Sequence, residues 1–102
     1  MPILQQKLAF LEKATETLRA VAHPIRLSII ELLRAEGPLN VKDIQEHLDI
    51  AQPVASHHLR ILRDREVVSV ERIGQNSRYA LTDDRFAGVL NLVEEILDDK
   101  EE

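Results

Sequence analysis

One segment, residues 52–63, constrains the fold of this chain more than any other. On an α-helix its polar side chains gather on one face, because Gln52, Ser56 and Arg60 recur at intervals of four residues. The full polar face consists of Gln52, Ser56, His57, Arg60 and Arg63. Side chains of these types read base edges and contact phosphates when a helix lies in the major groove of DNA. An ordinary amphipathic surface helix with a solvated polar face is the alternative that this segment alone leaves open.

The opposite face of the same segment is apolar and is spaced to pack on a core. It consists of Ala55, Leu59 and Leu62. Pro53 suits the first turn of a helix, where its missing N–H costs nothing. Ala51 stands where a capping serine would help, and Glu66 stands where a glycine usually ends a helix. We expect each of these two residues to cost a few tenths to about 1 kcal/mol without changing the fold.

Apolar residues at helical spacing predict three helices before this segment. The first covers about residues 3–20 and is interrupted at His23-Pro24, because residues before proline avoid the helical region. The second ends at Gly37-Pro38, and Asn40 is an N-cap signal for a third, short helix. The tight turn between the third and fourth helices predicts a helix-turn-helix over about residues 41–65.

After residue 65 the pattern changes from helical spacing to alternation. β-branched residues on both sides of Gly74-Gln75-Asn76 predict a β-hairpin over about residues 67–82. A hairpin directly after a helix-turn-helix is a wing, whose tip can reach a neighbouring groove or phosphates. A final helix follows, over about residues 84–98 and about 14 residues long. We therefore expect one domain over residues 1–102, mainly α with a small β-hairpin: a winged helix-turn-helix.

The two terminal helices carry apolar stripes beyond what a small helical core needs. The residues concerned are Leu4, Leu8, Leu11, Phe86, Val89, Leu90, Val93 and Leu97. Apolar surface of this kind on a small domain favours a two-fold dimer interface, and two-fold half-sites on DNA also require a two-fold protein. The alternative is that both stripes close the core of a monomer.

The net charge of −5 argues at first sight against a nucleic-acid partner. The acidic residues are concentrated at the end of the chain, where residues 94–102 hold six of them against one lysine. The remainder carries 12 acidic and 12 basic residues, and residues 54–78 carry five arginines against three acidic residues. A local basic surface can therefore bind double-stranded DNA, although its positive charge is smaller than that of a strongly basic domain.

Several classes of function are disfavoured by what the sequence lacks. The chain has no cysteine, which excludes disulfides, thiolate metal sites and redox thiols. No apolar run approaches the ~18 residues of a membrane span and no signal segment follows Met1, so we expect a cytoplasmic protein with no membrane partner. The sequence has no glycine-rich phosphate-binding loop, and none of its histidines has an evident nucleophilic residue as a partner. We therefore expect neither an enzyme nor a cofactor.

In the order of its motifs along the sequence, the chain resembles the ArsR/SmtB family of bacterial winged-helix repressors. The matching segments are residues 18–27 (LRAVAHPIRL), 44–48 (IQEHL), 52–63 (QPVASHHLRILR) and 72–81 (RIGQNSRYAL). The resemblance covers almost the whole chain. It implies a homodimer that represses its own operon by binding an operator across the promoter and is released by an effector, which the residues do not name.

The chain departs from the family at the positions of its familiar metal sites. Members that sense arsenic, cadmium or lead often carry a Cys-x-Cys pair where this chain has Asn40 and Lys42. Members that sense zinc, nickel or cobalt use an Asp-x-His pair and a later histidine on the last helix. Asp83 matches the first of these ligands, but Arg85 and Ile96 replace the two histidines. We therefore expect neither metal site.

The remaining histidines are expected to serve different purposes. His57 and His58 point about 100° apart on a helix, so we assign His57 to DNA and His58 to helix packing. His23 is expected to cap or pack at a helix start. Asp43 and His47 are four residues apart and can form an ion pair or half of a metal site, but a solvated helix face is favoured.

Together these features predict a DNA-binding surface made of the fourth helix and the wing. We expect Gln52, Ser56, His57 and Arg60 to enter the major groove, with Pro53 starting the helix. Phosphates or the minor groove are expected to be contacted by Arg63, Arg72, Gln75, Asn76 and Arg78. The competing hypothesis is a winged-helix protein–protein interaction module, and the arginines on this surface count against it.

Overall fold

The structure is a computed structural model that describes residues 3–101, so Met1, Pro2 and Glu102 lie outside the described residues. Its elements are α1 (Ile3–Val21), α2 (Pro24–Glu36), β1 (Leu39–Asn40), α3 (Val41–Leu48), α4 (Gln52–Asp64), β2 (Val68–Ile73), β3 (Asn76–Leu81) and α5 (Arg85–Glu101). The predicted fold class, mainly α with a winged helix-turn-helix, is confirmed. That residues 1–102 form one domain stays a prediction.

The helix starts follow from local capping. His23 precedes α2 in an extended conformation, and its Nδ1 accepts a hydrogen bond from the Ile25 N–H at 3.1 Å. Asn40 caps α3 through its Oδ1, which accepts from the Asp43 N–H at 2.8 Å. Ala51 gives α4 no side-chain cap. Each oxygen or nitrogen acceptor satisfies a backbone donor that a helix start leaves unpaired.

The helix ends use left-handed backbone conformations. Asp49 follows α3 with φ 53° and Glu66 follows α4 with φ 59°. The structure thus places Glu66 in the conformation that favours glycine, as its position in the sequence indicated. The Thr82 hydroxyl donates to the Glu66 carbonyl at 2.7 Å, which fixes this turn against the end of β3.

The sheet has three antiparallel strands in the order β1-β3-β2. The wing is the β2–β3 hairpin, in which Val68 faces Leu81 and Ile73 faces Asn76 across the ladder. Its turn is shorter than predicted, since Asn76 already belongs to β3. A further strand, β1, was not predicted; its Leu39 pairs with Tyr79 and thereby joins the start of α3 to the wing.

The core fixes the orientation of α4. It is built around fully buried aliphatic side chains of α2, α3 and α4, of β2 and of the residue that precedes β2. These include Ile29, Ile30, Ile44, Leu59, Leu62, Val67 and Val68. Burying a leucine or isoleucine side chain contributes about 1.5–3 kcal/mol each, so the apolar face of α4 is firmly held and its polar face is turned outward.

The helices at the two ends of the chain leave much apolar surface exposed. The exposed large side chains there are Leu4, Leu8, Phe10, Leu11, Leu18, Val89, Leu92, Val93, Ile96 and Leu97. Phe86 instead packs, partly buried, against the core of its own chain. The helix α5 runs to Glu101, beyond the predicted end at about residue 98. The prediction stopped at the last apolar position, but no glycine or proline follows to end the helix.

Candidate nucleic-acid interface

The outward face of α4 carries the side chains predicted to read DNA. Gln52, His57, Arg60 and Arg63 are exposed, and Ser56 is half-buried between them. Pro53 lies in the first turn and is also exposed. Ala55, Leu59 and Leu62 on the other face are fully buried, so the two faces separate as the periodicity predicted.

Two of these side chains contact each other. Nε2 of Gln52 donates a hydrogen bond to Oγ of Ser56 at 2.6 Å. This contact leaves the Gln52 Oε1 free to accept and the Ser56 hydroxyl proton free to donate. The pair therefore presents an acceptor and a donor side by side at the start of α4, the part of a recognition helix that reaches base edges.

The wing projects further polar groups. Arg72, Gln75 and Asn76 are exposed at or near the tip, where Gly74 has φ 63° and allows the tight turn. Arg78 is exposed too, but its Nη2 donates to the Pro38 carbonyl at 3.1 Å. Arg78 therefore ties β3 to the segment before α3, in addition to any contact with a partner.

The electrostatics of this surface depend on which arginines are already paired. Arg65, at the end of α4, forms an ion pair with Glu16 of α1, with 2.9 Å between Nη1 and Oε2. Within residues 3–101, Arg60, Arg63 and Arg72 make no such pair. Their charges are available to phosphates, whereas Arg65 connects α4 to α1.

One exposed residue at the start of α4 was not predicted as part of the interface. Val54 lies in the first turn of α4 and is 38% exposed, although it is apolar. The signal was present in the sequence, because Val54 does not fall on the stripe of Ala55, Leu59 and Leu62 that packs on the core. An exposed apolar side chain at this end of a recognition helix can contact a thymine methyl group.

The structure separates the two adjacent histidines as expected. His57 is exposed, and His58 is only 7% exposed and packs beside His23. Burial, followed by the nearby His23, Arg26 and His57, lowers the pKa of His58 from its usual value of 6.5. His58 is therefore held neutral inside the fold at physiological pH.

The position that resembles a metal ligand on the last helix is occupied by an ion pair. Arg85 Nη2 contacts Asp83 Oδ2 at 2.7 Å, and the Arg85 N–H donates to Asp83 Oδ1 at 2.9 Å. The hydrogen bonds from Arg85 lower the pKa of Asp83 to about 2. The carboxylate thus caps the start of α5 and holds a guanidinium rather than presenting free oxygens.

Asp43 and His47, for which a solvated helix face was the favoured prediction, do not form a side-chain pair, and His47 is exposed. His47 Nδ1 lies 2.8 Å from the backbone carbonyl of Asp43, and its Nε2 lies 4.0 Å from Glu36. The ion pair with the Asp43 carboxylate, which was left open above, does not form. In the part of the chain that the structure describes, no three His, Cys, Asp or Glu residues are grouped to hold a metal ion. Residues 3–101 also include no helix with the length and apolar composition needed to cross a lipid bilayer.

Comparison with known proteins shows which family the chain belongs to. A family model described as bacterial regulatory protein, arsR family, matches residues 23–70, which include α2, α3 and α4. An uncharacterized HTH-type transcriptional regulator of Methanocaldococcus jannaschii is 38% identical over 85 residues, covering 83% of this chain and 96% of that protein. The transcriptional repressor SdpR of Bacillus subtilis is 43% identical over 63 residues, covering 62% of this chain and 69% of the repressor.

A solved structure shows the same architecture. It is the homodimeric winged helix-turn-helix DNA-binding domain of a possible ArsR-family transcriptional regulator from Mycobacterium bovis. The match has a TM-score of 0.78 and 26% identity, and it covers 93% of this chain and 87% of the other. With its exposed recognition helix, its wing and these relatives, the chain belongs to the ArsR family of DNA-binding transcriptional regulators.

Proposed function

We propose that the protein is a homodimeric repressor that binds a two-fold operator through α4 and the wing of each subunit. The observation that carries the proposal is the separation of α4 into a fully buried apolar face and an exposed face of glutamine, serine, histidine and arginine. The apolar face fixes the helix, so the polar face is presented to the major groove without a change of fold.

Base reading is assigned to the first half of α4. The Gln52–Ser56 pair offers an acceptor and a donor to neighbouring base edges, and the exposed Val54 in the first turn suits a thymine methyl group. One turn further along, Arg60 reaches either a guanine, which it can contact with two hydrogen bonds, or a phosphate. His57 adds a donor on the same surface.

Phosphate binding is assigned to the unpaired arginines. Arg63 lies at the end of α4 and Arg72 on the wing, and we assign both to contacts with the DNA backbone. The exposed Gln75 and Asn76 at the wing tip supply hydrogen-bond donors for phosphates or the minor groove. Arg78 supports the wing through Pro38 and contributes its charge.

The dimer is assigned to α1 and α5. Leu8 and Leu11 of α1 and Val93 and Leu97 of α5 are between 40% and 54% exposed, which a solvated monomer does not favour. An apolar groove of about 190 Å³ continues this surface between the two helices, with Leu18, Val89 and Val93 among its lining residues. A second copy of the chain would cover these side chains and set two α4 helices on one DNA duplex.

The relatives support repression. SdpR is a transcriptional repressor, and the Mycobacterium bovis domain is homodimeric. We propose that this protein likewise forms a homodimer and represses its own gene. Asn40 and Lys42 stand where metal-sensing members of the family often have two cysteines, and the carboxylate of Asp83 is bound to Arg85. We therefore propose that the protein acts without a bound metal or other cofactor. We also propose that it has no catalytic activity and acts in the cytoplasm.

Nuclease footprinting on the DNA upstream of the gene tests the proposal. We expect one protected region that contains two inverted half-sites about 10 base pairs apart, or a multiple of that spacing, because each half-site receives one α4. The Arg60→Ala variant, folded as judged by circular dichroism, should lose the footprint at protein concentrations that protect with the wild type. Protection without two-fold symmetry would contradict the dimeric mode of binding.

A further inference from the structure

The fold contains a contact between two histidines that links the DNA-reading helix to α2. The ring centroids of His23, the N-cap of α2, and His58, in the middle of α4, lie 4.4 Å apart at an interplanar angle of 39°. His58 is 7% exposed, and it is the one buried polar side chain among the described residues. We refer to His23 and His58 together as the histidine junction.

Both rings of the junction are arranged for the neutral state. The Nδ1 of His23 accepts the Ile25 N–H at 3.1 Å, so this nitrogen carries no proton and the cap of α2 depends on it. The Nδ1 of His58 is buried and has no hydrogen-bond partner among the described residues, and the same is true of Nε of Arg26. A proton on His58 therefore buries an uncompensated charge beside the ring that caps α2.

The charged groups around the junction favour the same state. Burial lowers the pKa of His58 most, and His23, Arg26 of α2 and His57 of α4 lower it further, in that order. Beyond Arg26 lies an open cleft between α1, α2 and α4. Arg26 itself lines the cleft, and the other charged lining residues are Glu16, Arg19, Asp64 and Arg65, of which Glu16 and Arg65 neutralise each other. Asp64 is the remaining carboxylate, and it lies on the exposed side of α4.

We propose that the histidine junction is a proton-sensitive contact that loosens α4 from α2 in mild acid and so releases the protein from DNA. The proposal rests on the proposed function, because release requires that α4 reads the DNA. Ala55, Leu59 and Leu62 hold the same helix face, and charge placed at His58 among them disrupts the packing on which the position of the reading face depends.

The direction of the pH effect follows from the neutral folded state. The unfolded chain takes up a proton on this ring near pH 6.5, whereas the folded chain resists it. Stability that is fully present above pH 6.5 is therefore lost as the pH falls below that value. The exposed His57 is the same in the wild type and in the junction variants, so its contribution to DNA binding is common to all of them.

Urea unfolding of the full chain at about pH 8 and about pH 5.5, where histidines dominate the titration, tests the junction. The variants are His58→Phe, which keeps an aromatic ring, and His23→Asn, which keeps a capping oxygen. His47→Gln, which removes an exposed histidine outside the junction, is the control. For the wild type and the control, we expect the urea concentration at half-unfolding to be lower at about pH 5.5 than at about pH 8. In both junction variants this decrease should be smaller by about half or more.

DNA binding by the same proteins tests release. A fluorescent duplex selected from a random library with the wild type is the probe, at one fixed salt concentration. Between about pH 8 and about pH 5.5 we expect Kd to rise at least about threefold more for the wild type than for His58→Phe, since His57 is common to both. His23→Asn gives the same comparison if His58→Phe does not fold.

Equal acid sensitivity of the wild type and the junction variants, in unfolding or in DNA binding, would overturn the proposal. If no duplex is selected at about pH 8, the proposed function fails instead. The junction is then judged on the unfolding midpoints alone, so the two failures are distinguishable.

Discussion

Gln52 and Ser56, one turn apart on α4, are joined by a hydrogen bond of 2.6 Å between Nε2 and Oγ. The bond restricts the rotamers of Gln52 before DNA arrives, so less side-chain entropy is lost on binding. It also fixes which end of the amide faces outward. The two side chains should therefore read DNA as one unit.

Replacing Ser56 by alanine should weaken operator binding by about 0.5–1.5 kcal/mol, because the replacement removes one hydroxyl and releases Gln52. Binding to random duplex should hardly change, since neither side chain is charged. Anisotropy titrations with both duplexes measure the effect, and Ser69→Ala, which removes an exposed hydroxyl from β2, is the control. Equal losses for Ser56→Ala and Ser69→Ala would show that the pair does not read the operator.

Arg60→Ala should weaken operator binding by about 1–3 kcal/mol if the guanidinium contacts a base. The side chain is exposed and is not paired within residues 3–101, so its loss should leave the stability of the fold nearly unchanged. Arg34→Ala is the matched control, because Arg34 is an exposed arginine on α2, outside the DNA-binding surface. Unchanged operator affinity in Arg60→Ala would remove Arg60 from the interface.

The sequence predicted the faces of α4 well, because its periodicity alone separates Leu59 and Leu62 from Ser56 and Arg60. Features that depend on contacts between distant residues were not predictable in this way. The strand β1 has two residues, and it exists because Leu39 pairs with Tyr79. No local pattern in so short a segment indicates a strand.

The pairing of charged groups at the candidate site also depends on contacts between residues that are distant in the sequence. Arg65 was counted with the basic surface, but it pairs with Glu16, 49 residues away in the chain. Arg78 lies on the predicted wing, yet its bond to Pro38 depends on how the sheet assembles. The Asp83–Arg85 pair is local, and the presence of arginine in place of a ligand was visible in the sequence.

Placing a charge in the proposed dimer interface should separate the subunits. Val93→Glu puts a carboxylate on the apolar face of α5, where a partner subunit would bury it without a counter-charge. We expect the wild type to sediment as a dimer at micromolar concentration and the variant to sediment as a monomer. Ile73→Glu, at a position that is 48% exposed compared with 44% for Val93, is the control and should remain dimeric. A monomeric wild type would contradict the interface.

Glu66→Gly should stabilise the fold by about 0.5–1 kcal/mol, because glycine adopts the φ of 59° at this position without a Cβ penalty. Glu66→Ala is the control, since it removes the same carboxylate but retains Cβ. Urea unfolding compares the free energies of unfolding of both variants with the wild type. Equal stabilisation by alanine and glycine would show that the charge, and not the backbone conformation, limits stability here.

Fluorescence anisotropy across a salt series tests the central claim most directly. The purified protein is titrated onto DNA from upstream of its own gene and onto a random duplex of equal length. We predict nanomolar affinity for the upstream DNA and much weaker binding to the random duplex. The logarithm of the binding constant should fall with the logarithm of salt at a slope of about −5 to −7, as expected for three or four arginines from each of two subunits. Equally weak binding to both duplexes, or affinity that does not change with salt, would contradict repression through α4 and the wing.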